Sequence, residues 1–182
     1  MKYRKQVLLK NNKTCLIRQA GAEDAAEMVR SFNLTHGETD FLLSYPDENS
    51  YNECEERTFL MTKEQSADEI ELCAVIDGKI IGSSGIEKVG EKYKVKHRAV
   101  LGISVEKAYW NLGIGKALMD ACIHCARKAG YAQLELEVVS DNKVAIALYE
   151  IEGFRKFGRN PLGFRCRNGL YQETILMRLQ LS

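Results

Sequence analysis

Apolar and polar positions along the chain alternate with two periods. Thr14–Arg18, Glu69–Ile76, Lys79–Ile86, Lys92–Val105, Gln133–Val139, Phe154–Gly158 and Leu170–Leu179 carry the β-branched runs or strict alternation of strands. Residues 22–32, about 51–65, 114–130 and the stretch after Asn142 follow helical spacing instead. Asp77-Gly78 between two β-rich runs is a strong hairpin signal. Glu23 and Asp24 place acids in the first turn of the first helix. Ser50 is positioned to cap the second helix, with Glu53 as its capping-box partner. Gln133–Val139 alternates apolar with acidic residues, which predicts a half-exposed strand. Residues 1–13 read as a loose basic arm or a short edge strand, 33–49 as an irregular segment, and 159–169 as a basic loop bearing glycine and proline. With no repeat or linker, the pattern predicts one α+β domain over 1–182, with a mixed, mostly antiparallel central sheet flanked by helices.

The stretch from Ala99 to Gly130 organises the rest. An apolar strand, Val100–Val105, runs through Glu106–Tyr109 into Trp110-Asn111-Leu112-Gly113-Ile114-Gly115. A helix follows, with Ile114, Ala117, Leu118, Ala121, Cys122 and Cys125 on one face and Lys116, Asp120 and Arg127 opposite. Gly130 stands where a left-handed cap ends such a helix. First-turn amides of a helix lack intrahelical partners, and the helix dipole adds about half a positive charge there, so this is a device for holding phosphate. Gly113 and Gly115 allow close approach to the backbone, and Lys116 adds a cation. The third glycine of a dinucleotide fingerprint and the G-K-[ST] of a P-loop are both missing. The same residues would also serve as a plain strand-to-helix turn.

The stretch resembles motif A of the GNAT acyltransferase superfamily, a strand ending in a V-x-V-like triplet followed by [RQ]-x-x-G-x-[GA]. Here the triplet is Ile103-Ser104-Val105 and the glycines are Gly113 and Gly115, while Trp110 stands where the family has Arg or Gln. A second block, from Asn142 through Ala145 and Leu148-Tyr149 to Gly153-Phe154, resembles the family's motif B, N-x-x-A-x-x-[LF]-Y-x-x-x-G-F. The resemblance implies acetyl-CoA as donor, with its pyrophosphate on the backbone of Trp110, Asn111, Leu112, Gly113, Ile114, Gly115 and Lys116. It also implies that pantetheine pairs with the backbone of Ile103, Ser104 and Val105 like an added strand.

In the helix after Asn142, the spacing of Val144, Leu148 and Ile151 predicts that these residues face the core. Asn142, Ala145 and Tyr149 form a neighbouring stripe, which leaves the Tyr149 hydroxyl available beside the donor site. By resemblance, Tyr149 protonates the departing thiolate; the alternative is an aromatic that merely packs on the sheet. Histone-type members carry a glutamate as general base where this chain has Ala99. That leaves His97, Glu87, Glu71, Glu38 and Asp40 as candidates, and the sequence does not choose among them.

Composition narrows the partners. Lys+Arg 26 against Asp+Glu 25 leaves a net charge of +1, with no global field suited to nucleic acid or an anionic membrane. Residues 2–9 have a basic start but only a short apolar run, so neither a secretion signal nor a membrane span is predicted, and a cytoplasmic protein is expected. Six cysteines are scattered, and four of them sit inside apolar patterns; Cys122 and Cys125 read as reduced and packed. Cys122 and Cys125 lie on an apolar helical stripe rather than at a helix N-terminus, and no second pair completes a metal site. The leading expectation is N-acetyl transfer to a primary amine of a small molecule or peptide, without a metal. A non-catalytic acyl-CoA-binding module is the main alternative and a nucleotide-type phosphate binder a weaker one. Dimers are common among members of the resembled family.

Overall fold

The computed structural model describes residues 1–49 and 51–181. Eight strands form one sheet: β1 (Arg4–Leu8), β2 (Thr14–Gln19), β3 (Ile70–Ile76), β4 (Lys79–Lys88), β5 (Arg98–Val105), β6 (Gln133–Val139), β7 (Arg155–Arg165) and β8 (Tyr171–Gln180). Their order is β1-β2-β3-β4-β5-β6-β8-β7, and every neighbouring pair is antiparallel except β5–β6. The helices are α1 (Ala25–Gly37), α2 (Glu53–Gln65), α3 (Ile114–Lys128) and α4 (Lys143–Ile151). No helix among the described residues is long and apolar enough to cross a membrane.

The apolar stripe of α3 packs into the main core as the spacing requires, with Ile114, Leu118, Ala121, Cys122 and Cys125 buried against β3, β4 and β5. Met119, Ile123 and Ala126 widen that face. Gly130 follows the helix at φ +84°, the left-handed conformation expected of its cap. The hairpin turns at Asp77 (φ +51°) and Gly78 (φ +80°), the paired left-handed residues of a tight two-residue connection.

Several expectations shift. The N-terminal residues take the edge-strand form, pairing Arg4–Leu8 with Thr14–Arg18. α1 continues past Phe32 to Gly37, into the segment read as irregular. α2 starts at Glu53 rather than 51. Its cap is Asn52, which accepts from the amides of Cys54 (2.9 Å) and Glu55 (3.1 Å), while Glu55 rather than Glu53 reaches back to the Asn52 amide (2.8 Å). Ser50 lies outside the described residues. β5 begins at Arg98, six residues later than its pattern suggested, and β7 runs on to Arg165 through most of the expected loop.

β6 is more buried than a half-exposed strand: Glu135 is covered, with Arg98 neutralising its carboxylate, and of its three polar residues only Glu137 is exposed. α4 turns a different face inward than its aliphatic spacing implied. Val144 and Ile151 are 74% and 77% exposed, whereas Ile146 and Tyr149 are buried. The large Tyr149 ring takes the inward place and packs near Phe154, 6.0 Å between centroids.

Candidate active site

Parallel pairing between β5 and β6 lasts only three residue pairs, from Arg98↔Gln133 to Val100↔Glu135. Beyond them β5 follows β4 as far as Val105↔Gly82, and β6 follows β8 as far as Val139↔Thr174. The facing edges of Leu101–Val105 and Leu136–Val139 therefore part in a wedge with no strand between. At its apex Arg98 clasps Glu135 with both arms of the guanidinium, Nη2 to Oε2 at 2.7 Å and Nε to Oε1. That contact holds the Glu135 carboxyl below the usual carboxylate range.

The loop after β5 is fastened at both ends. The Trp110 indole N–H donates to the Val105 carbonyl (2.7 Å), and the Leu112 carbonyl accepts from the Lys10 amide (3.2 Å) in the β1–β2 turn. Asn111 and Gly113 adopt φ +64° and +96°, left-handed residues on either side of Leu112 that turn successive amides in a tight arc. The helical ladder begins with the Ala117 amide donating to the Gly113 carbonyl (3.1 Å). The amides of Asn111, Leu112, Gly113, Ile114, Gly115 and Lys116 make no hydrogen bond to any described residue. Such a row of donors at a helix N-terminus suits an anion.

Lys116 differs from its expected part. Its ammonium is held by Asp120 (3.0 Å) and Glu152 (2.9 Å), so what it turns to the loop is its amide and not a free cation. The Glu152 contact also ties the first turn of α3 to the end of α4, three residues beyond Tyr149.

A cavity of about 820 Å³ opens from the wedge. Ile103, Ser104, Asn142 and Tyr149 line it; Val105, the Trp110–Lys116 loop and Ala145 do not. Asn142 uses its side-chain oxygen to cap α4, accepting from the Ala145 amide (3.2 Å). Tyr149 is 7% exposed, and its hydroxyl bonds to no described residue. Burial pushes its pKa up to about 12, so the phenol stays protonated at neutral pH.

The candidate bases separate clearly. His97 is exposed just before β5, away from the cavity, and Asp40 is exposed outside the cavity wall. Glu38 accepts from the Lys107 amide (2.7 Å) and serves as a tether between α1 and the loop. Glu87 lines the cavity but is paired with Lys63 (3.0 Å), which also binds Glu69 (2.9 Å). Glu71 lines the cavity with its carboxylate laid over Gly85 and makes no hydrogen bond to a described residue. Burial, reinforced by the negative charge of Glu56, pushes its pKa up to about 8. Glu56, on α2, was not singled out from the sequence: it is a buried acid on a helix whose acidic first turn reads as solvated. Arg98 also escaped notice, because its partner Glu135 looked solvent-facing.

Comparison with known proteins bears on the family and the fold. The profile of the acetyltransferase (GNAT) family matches residues 34–154. A solved acetyltransferase of the GNAT family from Streptococcus pneumoniae superposes with a TM-score of 0.87 at 33% identity, over 91% of this chain and 99% of that one. An L-amino acid N-acetyltransferase of Escherichia coli (strain K12) is 33% identical over 108 residues, which span 59% of this chain and 65%, just under two thirds, of that enzyme. A putative acetyltransferase from Salmonella typhimurium, solved with acetyl-CoA, shares the fold with a TM-score of 0.82 at 18% identity, over 92% of this chain and 94% of that one. The chain belongs to the acetyltransferase (GNAT) family.

Proposed function

We propose that the protein is an N-acetyltransferase that passes an acetyl group from acetyl-CoA directly to a primary amine of a small molecule or peptide, within one ternary complex. The observation that carries this reading is the row of six unpartnered amides from Asn111 to Lys116 beside the parted strands. A pyrophosphate supplies the acceptor oxygens those donors lack. The unpaired edge of β5 at Ile103 and Ser104 offers main-chain partners to pantetheine. The Val105 carbonyl is already engaged by Trp110, which makes Trp110 a fastener of the loop rather than a ligand for phosphate. Asn142 and Ala145 flank the donor on the side of α4. The name of the Escherichia coli relative and the ligand of the Salmonella protein support the same chemistry. Four buried free cysteines fit a reducing, cytoplasmic setting.

In the reaction the acceptor ammonium gives one proton to Glu71, whose raised pKa suits a base working near neutrality. The amine nitrogen attacks the thioester carbonyl, forming the C–N bond. As the C–S bond breaks, the sulfur takes a proton from Tyr149, the nitrogen's second proton restores the Tyr149 phenol, and Glu71 gives its proton to solvent. Two protons leave nitrogen and one ends on sulfur, so each turnover releases one proton along with the amide and free CoA.

Acetyl-CoA incubated with the protein and a panel of primary amines should give free thiol only when an amine is present. If CoA raises the melting temperature while no amine releases thiol, the non-catalytic binding module is the better description.

A further inference from the structure

The wall of the cavity is divided by chemistry. On the side of α1 and α2, Phe32, Phe41, Leu42, Leu43, Tyr51 and Phe59 form an apolar chamber. The sheet side and the inner turn of α2 carry Glu56, Glu71, Glu87, Glu135 and Glu137, against a single cation, Arg98. That cation is already spent on Glu135 in a two-armed contact. Lys63, behind the wall, is bound by Glu69 and Glu87. An ammonium entering this chamber meets acidic side chains, whereas a carboxylate entering it finds no unpaired Lys or Arg among the described lining residues.

A tie outside the cavity lining connects two of its wall segments. Arg167, in the turn between β7 and β8, grips Asp47 (2.7 and 2.9 Å), and its guanidinium lies 4.2 Å from the centre of the Tyr45 ring. Its backbone amide also donates to the Tyr45 hydroxyl oxygen (3.1 Å). This tie joins the segment carrying Phe41, Leu42 and Leu43 to the turn after the strand carrying Phe157 and Phe164, all of which line the cavity.

We propose that the acceptor is a small apolar amine, cationic in solution and bearing no carboxylate beside its nitrogen. This rests on the acetyl-transfer reading and narrows its substrate. The apolar body fills the Phe32–Phe59 chamber, and its ammonium reaches the Glu71 side, where deprotonation is needed. A free amino acid carries the same ammonium with a carboxylate one carbon away, and the described lining offers no unpaired Lys or Arg to set against it. A polyamine offers cations but nothing to cover the aromatic wall.

The test is thiol release from acetyl-CoA with five acceptors at matched concentration: 2-phenylethylamine, phenylalaninamide, phenylalanine, spermidine and a phenylalanine-led tripeptide. We expect kcat/KM for 2-phenylethylamine and phenylalaninamide to exceed that for phenylalanine by at least about 100-fold. Spermidine and the tripeptide should trail 2-phenylethylamine by about tenfold or more. Glu56→Gln should raise KM for 2-phenylethylamine about fivefold with KM for acetyl-CoA unchanged. If phenylalanine, spermidine or the tripeptide matches or beats 2-phenylethylamine, the acceptor class is wrong while acetyl transfer stands. If none of the five releases thiol although acetyl-CoA still raises the melting temperature, both readings fall.

Discussion

Glu71 on β3 stands opposite Gly85 on β4, and its carboxylate fills the space that a side chain at residue 85 would occupy. The glycine is therefore a seat for the candidate base. A methyl group there meets the carboxylate and forces it to swing away. Gly85→Ala should reduce kcat about 100-fold, in the range proton-transfer groups contribute, while leaving the affinity for acetyl-CoA within about twofold. Steady-state kinetics together with calorimetric titration of CoA separates the two effects.

The raised pKa of Glu71 gives a pH dependence whose sign can be stated. A base must be ionised to act, so kcat/KM should rise with pH and level off above about 8 in the free enzyme. Glu71→Gln should remove that rise. The same group weakens the fold as pH increases. Its folded pKa of about 8 lies above the unfolded value of 4.5, so the native state binds more protons between those values and stability falls through that window. Melting temperatures from pH 5 to pH 9 should therefore decline more steeply for the parent than for Glu71→Gln.

Tyr149→Phe removes a hydroxyl that has no partner among the described residues. Stability should change by no more than about 0.5 kcal/mol, because no hydrogen bond is broken and the ring still packs near Phe154. Turnover should fall about 100-fold with acetyl-CoA affinity preserved. Full activity in this variant would remove Tyr149 from the proton path.

The two loop glycines should respond differently to alanine. At Gly115 the nearest atom to an added Cβ is Leu148 Cδ2 at 3.5 Å, an ordinary contact, so Gly115→Ala should fold normally. Its methyl group would stand beside the unpartnered amides, and the dissociation constant for CoA should rise about tenfold. Gly113 has open space but φ +96°, so Gly113→Ala should lose about 1–2 kcal/mol of stability through backbone strain. Thermal melts with and without CoA distinguish a strained loop from a blocked one.

Much of this architecture could be read from the chain. The strand-to-helix stretch from Val100 to Gly130 and the Asp77-Gly78 hairpin are set by local spacing and turn chemistry, and they form as read. Where expectation failed, a tertiary contact had overridden a local pattern. Glu135 looked solvent-facing until Arg98 on the next strand neutralised it. Aliphatic spacing in α4 pointed inward until the larger Tyr149 ring took that place. Choosing Glu71 from five candidate bases needed the fold itself, because only the fold shows that its carboxylate is unpaired, buried near Glu56 and seated on Gly85. Lys116 teaches the reverse lesson: its position beside the loop was legible, but its ammonium was already committed to Asp120 and Glu152.

The central claim is that main-chain donors from Asn111 to Lys116 hold the diphosphate of the donor. Residue-resolved amide hydrogen exchange, with and without saturating CoA, tests it most directly. The account predicts that exchange slows at these six amides as they gain acceptors, with the largest change in the Leu112–Lys116 run. Unchanged exchange there, with protection appearing elsewhere on the protein, would contradict it.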